Sequence, residues 1–318
     1  MIKRLILLFT TLFTINLSHA APLTIGYSDW PGWVAWEVGI EKGWFEEAGV
    51  EVSFEWFDYV ASMDAYAAGQ LDAVCMTNGD ALVTGATGRR STMAIINDFS
   101  NGNDMIVARP GITSVAELAG KKVAVEIGFV GHLLLLRALE KSGLTEDDVE
   151  LVNVRTNETP MVLASGEVDA IVAWQPSSSQ SLQMVPGSTA IYSSANDQGL
   201  IYDTLAIAPE SLNQFPEQWG KVLGVWYRIV DFINDPATQA AAVKIMAARV
   251  GVAPEQYGAL MKGTRFLTKA EAMARYGATA DLGSLSGSTL VADSFNMKYK
   301  VYSTSQSASD YISDTLYQ

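Results

Sequence analysis

Polar residues able to grip a charged or N–H-rich group stand just past segments that read as β-strands. Asp29 follows the strand pattern at 23–28, Asn78 and Asp80 follow 71–77, Asp98 follows 92–97, and Glu126 closes 122–126. Rings gather at the same places: Trp30 and Trp33 early in the chain, Phe129 and Trp174 later, with Tyr202 and Asp203 opening one more strand pattern. A carboxylate accepts N–H donors from a guanidinium or ammonium group, and an aromatic face adds cation–π attraction of about 0.5–2 kcal/mol. An inorganic oxyanion would meet repulsion from the same acids. The set therefore suggests holding a small cation or a polarised N–H donor. Plainer roles compete: Asp80 as a helix N-cap, Asp29 as a turn cap, Asp98 as a partner of the Asn101-Gly102 turn, and each ring as core. Arg155, at another strand end, is the contrary residue; it can pair with Glu158 or meet an anion.

Bond-making chemistry has little support. Outside the N-terminal segment there is one histidine, His132, between Gly131 and Leu133 at a helix start. No HExxH, CxxC or G-x-S-x-G occurs, so neither a zinc site nor a serine nucleophile is indicated. The one cysteine, Cys75, lies in a strand-like run and reads as a buried core thiol without a disulfide partner. Gly128 and Gly131 form a loop entering a helix that can cradle an anion, but it lacks the Lys-Ser/Thr ending of a phosphate loop. No metal and no organic cofactor is implied.

Lys3 and Arg4, the apolar run 5–17 and Ser18-His19-Ala20 read as a secretory signal cleaved near Ala20. That run is short for a bilayer span, and no cysteine follows it to carry a lipid. The expectation is a soluble periplasmic protein. With 21 Lys+Arg against 35 Asp+Glu the formal net charge is −14. Such a surface disfavours nucleic acid and anionic membrane.

Strand and helix patterns alternate from residue 23: strand 23–28, helix 33–45, strand 51–57, helix 60–68, strand 71–77. After strand patterns at 92–97 and 104–108 the alternation restarts, and Ser114 and Glu117 approach a capping box. It runs on through strand 122–126, helix 132–141, strand 149–155, helix 159–164 and strand 168–174. Trp174-Gln175-Pro176 ends that last strand in a large ring, and the proline opens the next helix. This edge of a sheet is where open α/β folds bind ligands. Alternation of this kind predicts parallel sheets with helices on their faces. The simplest arrangement is a two-lobed α/β chain: a first lobe from 21–105, a second from 106–205, and a return to the first with C-terminal helices over 206–318. The crossings near 103–110 and 198–208 form a two-stranded hinge, and the ligand lies between the lobes. Val222, Val225, Trp226, Ile229 and Ile233 make one apolar stripe that packs a helix onto a lobe.

Several segments carry a family resemblance. They are Glu41-Lys42-Gly43-Trp44-Phe45-Glu46-Glu47-Ala48-Gly49-Val50, Gly69-Gln70-Leu71-Asp72-Ala73, the run 117–125, and Gly166 to Pro176. In this order and spacing they resemble periplasmic solute-binding proteins of nitrate/sulfonate/taurine ABC transporters. The resemblance spans most of the chain and weakens after about Asp235. Tyr27 to Trp33 and Met76 to Asp80 further resemble members associated with urea carboxylase. The resemblance implies a type II-like periplasmic binding protein fold, monomeric, which delivers a small solute to an inner-membrane ABC permease. The subfamily implies a guanidine, urea or amine ligand. Members taking oxyanions usually offer Ser/Thr hydroxyls where this chain offers acids. A sulfonate, taurine or nitrate ligand is the alternative of the same class. A pyrimidine-synthase-like enzyme on the same fold, whose cysteine-rich motif is missing here, is the alternative of another class. A ligand-loaded partner of a membrane receptor would use the same cleft.

Overall fold

The computed structural model describes residues 21–277 and 279–318; the expected signal segment lies outside them. Two mixed β-sheets organise the chain. The first has the order β11-β4-β10-β3-β1-β2, formed by β1 (Leu23–Tyr27), β2 (Val52–Trp56), β3 (Ala73–Thr77), β4 (Thr92–Ser100), β10 (Tyr202–Ile207) and β11 (Thr264–Phe266). The second has the order β7-β6-β8-β5-β9, formed by β5 (Met105–Ala108), β6 (Lys122–Val125), β7 (Glu150–Asn153), β8 (Ala170–Ala173) and β9 (Thr189–Ser193).

Each sheet repeats one plan. β1 lies between β2 and β3 with parallel pairing to both, and β6 lies likewise between β7 and β8. Apolar runs such as Ala73–Thr77 and Ala170–Ala173 are buried throughout, as strands covered on both faces must be. The expectation of wholly parallel sheets needs correction. β10 runs antiparallel to β3 and β4, and β5 antiparallel to β8 and β9. β5 and β10 each enter their sheet straight from a crossing between the sheets, not through the crossover connection that sets neighbouring strands parallel.

The chain passes between the sheets at residues 101–104 and 194–201. β10, which begins at Tyr202, lies wholly in the first sheet, so the expected boundary at 205 falls inside a strand. The two crossings are tied side by side. Ser194 Oγ lies 2.7 Å from Ser100 Oγ and accepts from Gly102 N at 2.7 Å, Ser194 N donates to Asp104 O at 2.9 Å, and Ser100 N donates to Ile201 O at 3.0 Å.

The helix expected at 33–45 is three short helices, Pro31–Val34, Trp36–Glu41 and Trp44–Glu47. Gly43 between the last two takes a left-handed φ of 68°, which a residue with a Cβ adopts poorly. The apolar stripe behaves as its spacing predicts. The helix Pro216–Asn234 buries Val222, Val225, Trp226, Ile229 and Ile233, and Trp226 packs on Trp36 at 4.5 Å between ring centroids.

The helix Leu285–Lys298 rests on the helix Asn78–Thr87 of the first lobe and the helix Val130–Lys141 of the second. Asn78 fixes it in place. Its Nδ2 donates to Ser288 Oγ at 2.9 Å and Thr289 Oγ1 at 3.3 Å, while its Oδ1 accepts from Tyr202 N at 3.0 Å. All these groups are buried, so removing the amide leaves donors and acceptors without partners. Asn78→Ala should destabilise the protein by about 1–3 kcal/mol in urea unfolding; an unchanged midpoint would show that the amide is not structural.

A ring-lined acidic site between the two lobes

Rings and acids from several strand ends meet between the sheets. A cavity of about 10 Å³ is lined by Trp30, Trp33, Tyr59, Thr77 and Asp203 from the first lobe, Val130 and Trp174 from the second, and Asp104 and Ile201 from the crossings. Trp33 stacks on Tyr59 at 5.2 Å and 26°, and Tyr59 meets Trp174 edge-on at 5.2 Å and 80°. No Lys or Arg lines it. A second cavity of about 180 Å³ shares Tyr59 and Trp174 and adds Asp29, Asp58, Asp64, Glu126, Arg155 and Asn157 among others.

Local sequence explains how the acids come to point here. In β4 the pairing slips by one residue, from Asp203↔Asp98 to Thr204↔Ile96. Asn97 is thus the extra residue of a bulge, a device that re-aims the next side chain. Asp98 is therefore inside a strand, not beyond its end as expected, and its Oδ1 accepts from Trp30 Nε1 at 3.1 Å. Gly32 makes the approach possible. A Cβ there would lie 1.8 Å from Asp98 Oδ2 and 2.7 Å from the Trp30 indole nitrogen. Asp80 is not the helix cap. Thr77 caps the helix Asn78–Thr87 by accepting from Asp80 N at 3.1 Å. The Asp80 carboxylate is left to accept from Tyr59 Oη at 2.6 Å, and the backbone N–H of Val130, which opens the helix Val130–Lys141 of the other lobe, favours its charged form. Asp29 lines the second cavity together with Trp174, whose indole favours the charged form of the carboxyl.

Burial is the largest influence on every one of these carboxyls. It pushes Asp80 and Asp104 up to about 7, Glu126 to about 7 and Asp29 to about 6, against hydrogen bonds that pull the other way. Asp98 and Asp203 also rise, with burial first and mutual repulsion adding to Asp203. The Oδ2 atoms of Asp98 and Asp203 and the indole N–H of Trp33 are buried without a hydrogen-bond partner. Among the described residues, no group of three or more His, Cys, Asp or Glu is placed to hold a metal ion.

Of the eleven residues expected at the site, Trp30, Trp33, Trp174 and Asp203 line the inner cavity, and Asp29, Glu126 and again Trp174 the outer one. Asp98 and Asp80 stand directly behind Trp30 and Tyr59. Three are elsewhere. Asn78 spends its amide on the C-terminal helix, and Tyr202 is core, with its hydroxyl on Leu282 O at 3.1 Å. Phe129 packs half-buried on the core, and its neighbour Val130 reaches the cavity instead. Tyr59, Thr77 and Asp104 are additions. Tyr59 stands three residues past the end of β2, the same sheet edge that drew attention to Asp29 and Trp174, but no charge marked it. His132 is buried and structural: Nδ1 accepts from Gly128 N at 3.2 Å, and Nε2 lies 3.2 Å from Glu146 Oε1.

The raised carboxyls fix the sign of the pH dependence without ligand. In the unfolded chain an aspartate loses its proton near 3.8, whereas folded Asp80 and Asp104 keep theirs to about 7. Over that interval the folded state binds more protons, so stability falls as pH rises. Urea unfolding should show a loss of about 2–5 kcal/mol between about pH 5 and 7, and Asp104→Asn should flatten it. Stability that rises over this range would contradict the burial of these groups.

Residues 31–227, more than half of the chain, match the NMT1/THI5-like family. A binding protein of Brucella abortus (strain 2308) is 31% identical over 183 residues, 57% of this chain; the match spans 56% of that relative's own length. Among solved structures, the periplasmic aliphatic sulphonate binding protein SsuA of Escherichia coli superposes with a TM-score of 0.77 at 17% identity, covering 94% of this chain and 99% of that one. The periplasmic nitrate-binding protein NrtA of Synechocystis PCC 6803 gives 0.74 at 12%, covering 93% and 87%. The desulfurization enzyme DSZB gives 0.64 at 16%, covering 92% and 97%. The fold is the two-sheet α/β fold of periplasmic solute-binding proteins, and the chain belongs to the NMT1/THI5-like family.

Proposed function

We propose that this protein is the periplasmic solute-binding component of an ABC importer and captures a small guanidinium, urea or amine by closure of its two lobes. The observation that carries the reading is Asp203. It is buried, lines a ring-walled cavity with Asp104, keeps one oxygen without a donor, and has no basic side chain beside it. A cation or N–H-rich ligand supplies the donors such a site lacks, and four rings offer faces to it. The resemblance to urea-carboxylase-associated members supports the same class, and the resemblance to transport proteins supports an inner-membrane permease as partner.

Closure follows from differential contact. Asp29 and Trp174 line one cavity from opposite lobes, and a ligand bridging Asp203 and Trp174 adds contacts available only when the lobes meet. Nothing in the site pairs a nucleophile with a base, so the ligand is carried and returned unchanged. A second reading rests on Arg155, which lines the outer cavity with Asn157 and Thr156 and suits an anion such as those named for SsuA and NrtA.

Calorimetry of ligand-stripped protein separates the two. Guanidinium, urea or methylammonium should bind more tightly than taurine or nitrate, and Trp174→Ala should weaken binding by about 1–3 kcal/mol. Tight taurine or nitrate binding, abolished by Arg155→Gln, would establish the anion reading. If Trp174 serves only as core, its truncation would instead destabilise the fold by about 3–5 kcal/mol.

A further inference from the structure

Asp98 and Asp203 sit directly opposite each other on β4 and β10, one pair of the antiparallel ladder, with side chains on the same side of the sheet. Both are buried, and the Oδ2 atom of each is without a hydrogen-bond donor. Neither carboxylate can donate, so a proton must occupy this contact for it to be favourable. The Trp30 indole fixes the other side of Asp98, and Gly32 closes over its Oδ2.

We propose that cation capture is an ion exchange: the ligand enters beside Asp203 and displaces the proton shared by Asp98 and Asp203, so that one proton leaves for each cation bound. The inference rests on the cationic reading of the site. The ligand arrives already charged, the proton passes to solvent, and no covalent bond to the ligand is made or broken. Without ligand, two adjacent carboxylates in a dry site cannot both ionise; with a monocation between the rings, the pair holds a second negative charge.

The neighbouring groups reinforce this. Asp104 and Asp80 add negative potential at Asp203. Burial raises both the Cys75 thiol on β3 and the Tyr257 phenol, from the helix Pro254–Leu260, leaving each neutral. Asp29 lies close enough to act on the same phenol. Arg265 on the adjacent β11 pairs at the surface with Glu271 at 2.7 Å. No cation of the protein therefore substitutes for the proton.

Calorimetry with guanidinium chloride at pH 7 in phosphate and in Tris tests the exchange. The observed enthalpy should vary with buffer ionisation enthalpy with a slope near one proton released per ligand. Guanidinium affinity should tighten about tenfold per pH unit from about pH 5 through pH 7 and level off only where the pair itself loses its proton. Neutral urea should bind with no proton release. Asp98→Asn, whose amide can donate to Asp203, should cut the release below about half a proton. Guanidinium binding of unchanged affinity across the range and without buffer dependence would overturn the exchange and leave the cationic reading standing. Failure of guanidinium and amines to bind at all would overturn both.

Discussion

Like charges crowded into a dry cleft govern this structure. Asp80, Asp98, Asp104 and Asp203 are all buried where two lobes meet, with no lysine or arginine lining the space between them. Burying an unpaired carboxylate costs several kcal/mol, so these groups hold protons or hydrogen-bond donors. The Trp30 indole serves Asp98 and the Tyr59 hydroxyl serves Asp80, while the Trp33 indole N–H is without a partner. Asp203 alone keeps an unmatched oxygen on the cavity wall.

The remainder of the molecule holds that arrangement in place. Each sheet presents strand ends toward the other, and the bulge at Asn97 turns Asp98 out of the regular alternation toward the site. The two crossings, tied through Ser100 and Ser194, are short and adjacent, a geometry suited to rotation of one lobe on the other. The C-terminal helix Leu285–Lys298 contacts both lobes, and Lys298 reaches Glu140 at 2.9 Å. The helix therefore restrains the angle through which the lobes can separate.

Much of this was legible in the sequence. The alternation of strands and helices located all the central strands, and placing functional residues at sheet edges found Asp29, Trp30, Trp33, Glu126 and Trp174 where the cavities lie. What could not be read depended on long-range pairing. No local pattern shows that β5 and β10 reverse direction, because strand direction is set by the connection and not by the strand. The bulge at Asn97 exists only in register with β10. Asn78 resembled a ligand donor until the helix Leu285–Lys298, more than 200 residues later, claimed its amide. Tyr202 and Phe129 sit beside cavity residues in sequence, yet strand alternation and helix geometry send their rings to the core.

The crystal structure of the protein with its bound solute is the most direct measurement of the central claim. The account predicts a small nitrogen-bearing group among Trp30, Trp33, Tyr59 and Trp174, with N–H donors on Asp203 and Asp104. A sulfonate or nitrate seated on Arg155 in the outer cavity, with Asp203 untouched, would contradict it.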